Sequence, residues 1–101
     1  MVKKIDKDII NKLSFVRLSK HRMRILEILK NGMMMPSEIK KYNELSYTHQ
    51  SRYLNSLKNK GLIVCLNEEN KKGRYYEITP EGEKVLKYIK KLDNKINKKN
   101  I

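Results

Sequence analysis

Tryptophan is absent from this 101-residue chain, phenylalanine and cysteine occur once each, proline twice and glycine four times. One cysteine excludes an intrachain disulfide. Cys65 lies in the apolar run Leu62-Ile63-Val64-Cys65-Leu66, which predicts a buried core residue rather than a redox or metal group. His21 and His49 fall in different predicted helices with no ligand cluster around them, so neither a metal nor a cofactor is expected. No apolar run approaches the ~20 residues that cross a bilayer. The opening Met1-Val-Lys-Lys-Ile-Asp-Lys-Asp lacks the apolar stretch of a signal peptide. A soluble, cytoplasmic protein without membrane attachment is expected. No Ser/His/Asp set, glycine-rich phosphate loop or paired carboxylate is recognisable, so no enzyme is expected.

Charge, by contrast, is plentiful and one-sided. Lysine and arginine number 24 against 11 acids, a net charge of +13. Such an excess favours a polyanionic partner, of which nucleic acid is the commonest for a soluble protein. Nineteen of the 24 cations are lysine, and asparagine and isoleucine are also abundant, a bias that AT-rich coding produces without any partner. Charge alone therefore does not decide. The length fits one domain over residues 1–101 with a single modest core.

Taken in order, the chain predicts an amphipathic helical segment over about 2–18, carrying Ile5, Ile9 and Leu13 among its apolar positions. Its stripe is covered either by the body of its own domain or by a partner subunit. Ser19 is a suitable N-cap for a helix ending at Asn31-Gly32, with Met23, Ile25, Leu26, Ile28 and Leu29 inward. In the connector Met33-Met34-Met35, Met33 is expected to point inward. Pro36 opens a short helix with Ile39 and Tyr42 as its inward contacts, and Asn43-Glu44-Leu45 forms a turn. The next helix starts at Ser46 or Thr48 and runs to about Lys60, with Tyr53, Leu54 and Leu57 inside and Gly61 beyond its end. Two strand-like runs, 62–66 and 74–78, flank the polar loop Asn67–Gly73. Thr79-Pro80-Glu81-Gly82 reads as cap and first turn of a final helix over about 80–98. Val85, Ile89, Leu92 and Ile96 follow one another at spacings of 4, 3 and 4, a heptad-type seam suited to a dimer.

The expected fold is mainly α with a small β-hairpin: a winged helix-turn-helix, with its reading unit over about 20–79 and terminal helices outside it. Particular residues carry a family resemblance. Ser14-Phe-Val-Arg-Leu-Ser-Lys-His-Arg-Met-Arg-Ile-Leu-Glu-Ile-Leu, Thr48-His-Gln-Ser-Arg-Tyr-Leu and Gly61-Leu-Ile-Val-Cys-Leu-Asn resemble archaeal winged helix-turn-helix transcriptional regulators of the broad ArsR/MarR-like class. Gly73-Arg-Tyr-Tyr-Glu-Ile-Thr-Pro-Glu-Gly is similar to that group's wing return and the T-x-x-G opening of its last helix. The resemblance spans about 14–92. It implies a homodimer built from the terminal helices, with a recognition helix over Thr48–Lys60 in the DNA major groove and a wing against backbone or minor groove. Gln50 stands where the group carries an apolar residue. Metal sensing is not implied, because Cys65, His21 and His49 make no cluster.

The chemistry of the residues gives the candidate contacts. Arg52 and Gln50 can hydrogen-bond guanine and adenine edges in bidentate fashion. Gln50 is otherwise a boundary residue of the helix. Tyr47, Thr48, His49, Ser51 and Asn55 can reach bases or phosphates. Lys71, Lys72 and Arg74 suit phosphates or the minor groove, Arg74 being alternatively the cross-strand partner of an acid. Glu68 and Glu69 read as turn solubilisers. Ser37, near a helix start, is a candidate phosphate contact. The dimer interface is expected at Ile5, Ile9, Leu13, Ile89, Leu92 and Ile96. The leading expectation is a sequence-specific regulator of transcription, a repressor by promoter occlusion. Two other readings stay open: a protein-interaction winged helix in a transcription or replication assembly, and a non-specific chromatin protein.

Overall fold

Hydroxyl caps and glycine stops divide the chain much as its pattern predicts. A computed structural model describes residues 7–99, with side chains described through Asn94. Its elements are α1 (Lys7–Arg17), α2 (Lys20–Leu29), α3 (Pro36–Lys40), α4 (Tyr47–Asn59), β1 (Ile63–Cys65), β2 (Tyr76–Ile78) and α5 (Pro80–Lys99). Ser19 Oγ accepts the Arg22 N–H at 3.3 Å and Ser46 Oγ accepts the His49 N–H at 3.2 Å, each satisfying a donor the helix start leaves open. Of the two possible starts for α4, the cap is therefore Ser46. No hydroxyl precedes α3; instead the Glu38 carboxylate reaches back to the Met35 N–H at 2.9 Å, half of a capping box. Gly61, at φ +75°, ends α4. Gly61 N–H then bonds Lys58 O at 2.9 Å and Leu62 N–H bonds Leu57 O at 3.1 Å, the paired bonds of a Schellman stop.

The apolar stripe of α2 is the centre of the core. Ile25, Leu26, Ile28 and Leu29 are buried there with Leu54 and Leu57 of α4, Ile63 and Ile78 of the hairpin, and Val85, Leu86 and Ile89 of α5. β1 and β2 pair antiparallel in the register Ile63↔Ile78, Val64↔Glu77, Cys65↔Tyr76, so alternate residues face the core. Cys65 is buried, as expected. Thr79 caps α5 by accepting the Gly82 N–H at 3.0 Å, while its hydroxyl donates to Gly61 O at 2.7 Å. Gly82 itself is needed for contact. A Cβ there would overlap the Leu62 carbonyl and stand 2.8 Å from Ile78 Cγ1. The T-x-x-G signature thus fastens the end of α4 and the hairpin to the start of α5.

Several expectations are corrected. Met33 is exposed, whereas Met34 packs on the core and exchanges two backbone hydrogen bonds with Tyr76, at 3.0 and 2.9 Å. Met34 forms a single antiparallel bridge to Tyr76 beside the two-stranded hairpin, with its side chain inward and that of Met33 outward. Tyr42 is also exposed, because α3 ends at Lys40 and the following turn swings its ring outside. The strands are shorter than the apolar runs that mark them. Ile9, Leu13 and Ile89 are all buried within this one chain, since α1 packs on α2 and α5. Lys12 reinforces that packing through Glu81 at 2.6 Å and Asp8 at 3.0 Å. Leu92 remains 45% exposed. Ile5 and the side chain of Ile96 lie outside the described residues.

Candidate nucleic-acid interface

A buried amide, Gln50, and a half-buried one, Asn43, bridge α3 and α4. Gln50 is 1% exposed, although it lies on the helix expected to read bases. Its Nε2 donates to Pro36 O at 2.9 Å, and its Oε1 accepts from Asn43 Nδ2 at 2.9 Å. Asn43 also donates to Ile39 O and accepts the Leu45 N–H, both at 2.9 Å. Every polar atom of the Gln50 amide head thus has a protein partner or a place in this network, as burial requires. Gln50 is accordingly removed from the base-reading set. Leu54, one turn later, is apolar and buried, so Gln50 continues the inward stripe with a polar residue.

Burying that stripe turns the opposite face of α4 outward. Tyr47, Thr48, His49, Ser51, Arg52 and Asn55 are all exposed. Thr48, Ser51, Arg52 and Asn55 follow at i, i+3, i+4 and i+7, one continuous helical face. No acid occurs anywhere in α4. Lys40 lies 5.7 Å from the Tyr47 ring, bringing a cation beside the start of this face. Ser37 is exposed in the first turn of α3. The inner side of α4 is held from α2, where His21 and Tyr53 rings stand 5.3 Å apart.

The wing has its own scaffold. Asn67 Oδ1 accepts the Tyr75 N–H at 2.8 Å and Asn67 Nδ2 donates to Gly73 O at 3.0 Å, closing the loop at its base. Arg74 folds back: Nε donates to Asn70 O at 2.6 Å and Nη2 to Glu68 O at 3.1 Å. Its partners are carbonyls, not an acid across the strands. Lys71 and Lys72 stay exposed at the tip beside Gly73, whose φ is +68°. Glu68 does more than solubilise the turn. Its carboxylate bonds Lys58 Nζ at 2.8 Å, joining the wing to the last turn of α4. The bond holds Glu68 below the usual carboxylate range and raises Lys58. Asn43, Asn67, Lys58 and Glu68 were not legible as site-shaping residues. Asparagines in turns are too common to signal it, and the ion pair joins groups ten positions apart on different elements.

The assembled surface is an acid-free, hydrogen-bonding helix face with a wing fixed beside its end. The fold that carries it is similar to those of solved structures. The oxidised form of MarR from E. coli superposes with a TM-score of 0.68 at 22% identity, over 86% of this chain and 63% of that one. A cysteine-to-serine mutant of MarR from E. coli complexed with operator DNA gives 0.68 and 22%, over 86% and 64%. This chain thus spans less than two thirds of the MarR chain. A fragment of a possible transcriptional regulatory protein from Mycobacterium bovis gives 0.65 and 23%, over 89% and 92%. No curated protein matches the sequence. Over residues 22–97, however, the sequence matches the family model described as Winged helix-turn-helix, and with the fold in agreement the chain belongs to the winged helix-turn-helix family.

Proposed function

We propose that the chain is a DNA-binding transcription regulator of the ArsR/MarR-like class, of the archaeal kind its motifs resemble, acting as a homodimeric repressor. The carrying observation is the exposed, acid-free face Thr48-Ser51-Arg52-Asn55, presented by a helix whose other side is locked to α3 through Gln50. Such a face suits the major groove: Arg52 can bond guanine O6 and N7, and Asn55 can bond adenine. Tyr47, Thr48, His49 and Ser51 border it and would meet bases or the backbone. Lys71 and Lys72 would contact phosphates, with Arg74 holding the wing in shape for them. Ser37 would add a backbone contact from α3. The likeness to a MarR structure holding operator DNA supports the same reading. A homodimer would use what α1 and α5 leave uncovered, namely Ile10, Leu18 and Leu92. Two copies would then set their α4 helices in successive grooves, roughly 34 Å apart, and block a promoter by occupying it.

Selection from a random duplex library tests this at about 0.15 M salt, where non-specific binding is weak. Enrichment of an inverted repeat is expected. Arg52→Ala should then relax one position per half-site at about 1–3 kcal/mol, whereas Lys72→Ala should weaken all sequences alike. Recovery of unselected DNA, or of none, would overturn the sequence-specific reading.

A further inference from the structure

Most of the net positive charge of this molecule lies outside the segment that carries α3, α4 and the hairpin. Residues 36–79, which hold α3, α4 and the hairpin, contain eight basic and five acidic residues, a net of +3 out of +13. Residues 80–101 contain seven basic and three acidic residues, a net of +4 on about half that length. Within the segment 36–79, Lys58 is paired with Glu68, and the Arg74 guanidinium is held on the wing backbone. Contact with phosphates through α4 and the wing therefore leaves most of the cations unaccounted for.

Five of the sixteen cations outside that segment line one groove. Lys30, at the end of α2, faces Lys84, Lys87, Lys90 and Lys91 of α5 across an open depression of about 670 Å³ whose one acid is Glu83. Lys84, Lys87 and Lys91 follow at i, i+3 and i+7, so they share a face of the helix, and all three are exposed. Lys90 lies 3.9 Å from Glu27; among the described residues no ion pair engages Lys30, Lys84, Lys87 or Lys91. Holding four unpaired cations together costs repulsion that a polyanion would relieve. No aromatic side chain and no arginine lines the groove. It thus lacks both the aromatic anchors of a protein interface and the planar forks that recognise single groups. Lysine ammoniums are mobile point charges suited to a phosphate backbone irrespective of sequence.

We infer that the α2–α5 lysine groove is a second DNA surface, which binds the phosphates of duplex lying beyond the stretch that α4 reads. The inference rests on the DNA reading proposed above. It assigns α5 a role in holding flanking DNA without base preference.

The test uses the full chain and its Lys84→Gln/Lys87→Gln/Lys91→Gln variant, with circular dichroism to establish that the exposed substitutions leave the fold intact. Affinity is measured against salt on two duplexes carrying the site enriched by selection. One has about 20 base pairs, roughly two helical turns, and the other has flanks extending it to about 60. On the long duplex the variant should lose about 2–3 from the log–log salt slope, at about 0.9 per phosphate contact. On the short duplex its slope should match that of the parent. Equal slopes on both duplexes overturn the inference, as does an equal loss on both, which would put these lysines on the DNA that α4 already covers. If selection enriches no site, the reading beneath has failed separately. A mixed-sequence duplex of the same length then serves, and an unchanged slope there overturns the second surface as well.

Discussion

Gln50 shows how one side chain can be chemically suited to two opposite roles. Its amide is the group that reads adenine, and the same donor and acceptor also serve to fasten two helices from inside. Burial decides between them: with Pro36 O and Asn43 Nδ2 at 2.9 Å, it fastens α3 to α4 and is not available to a base. Gln50→Ala would take the side-chain donor from Pro36 O and one of two acceptors from Asn43 Nδ2, and would leave a gap in the buried stripe of α4. We expect a loss of about 1–3 kcal/mol in unfolding free energy, read from the urea midpoint, with base preference unchanged. A variant of full stability and altered preference would return Gln50 to the DNA. In the sequence, the inward stripe was legible from Leu54 and Leu57, and a polar residue on that stripe was visible as an exception. What was not legible was its partner. Asn43 lies seven residues away, and the bond exists only because α3 and α4 meet at this angle. Met33 and Met34 failed for a related reason. Three adjacent methionines carry no pattern, and the choice among them was made by hydrogen bonds to Tyr76, some forty positions on.

At the scale of elements, punctuation was more legible than extent. Ser19, Pro36, Gly61 and Thr79 mark their boundaries because capping and stopping chemistry is local. The hairpin was legible as two apolar runs, but only three residues of each become strand, since the wing is organised by Asn67 and Arg74 rather than by continued pairing. The wing's position relative to α4 depends on Lys58 and Glu68, and that pair has a pH signature. Bonding to Lys58 lowers the Glu68 pKa from its ordinary 4.5, so the contact is present above that value and is lost as pH falls through the lower folded one. Lys58 is raised from 10.5, so its side of the contact holds below 10.5 and is lost only as pH rises past its folded value. Between those limits the wing should stay fixed. Amide shifts of Asn67–Gly73 followed by NMR should therefore titrate with an acid midpoint below 4.5, and Glu68→Gln should abolish that titration. An ordinary glutamate midpoint would mean that the ion pair does not hold the wing in solution.

The molecule as a whole presents an amphipathic surplus that one copy does not use up. The heptad spacing of α5 was legible, but not how it would be divided. Ile89 lies inside the subunit, as do Ile9 and Leu13, because α1 folds back against α5 and covers the first part of the seam. Local pattern cannot distinguish a helix that packs on its own chain from one that packs on a second copy; both need the same stripe. The remainder is what the neighbour has not covered. Arg17 and Asp93 form an ion pair at 3.2 Å, which brings together the helix regions carrying Leu18, 83% exposed, and Leu92, 45% exposed. If this apolar edge is the dimer contact, burying what remains exposed of Leu92 should contribute somewhat under half of the ~1.5–3 kcal/mol of a full burial, roughly three- to tenfold in the dissociation constant for each copy at 1.4 kcal/mol per tenfold. Leu92→Asp should raise the dimer dissociation constant by that factor or more in sedimentation equilibrium. Its urea midpoint should barely move, because the position is already half in water. Ile89→Asp is the contrasting case, since it puts a charge into the subunit core and should unfold the chain before it can report on association. Unchanged self-association of a folded Leu92→Asp variant would place the dimer contact elsewhere, and the spacing of the two α4 helices would have to be set by another surface.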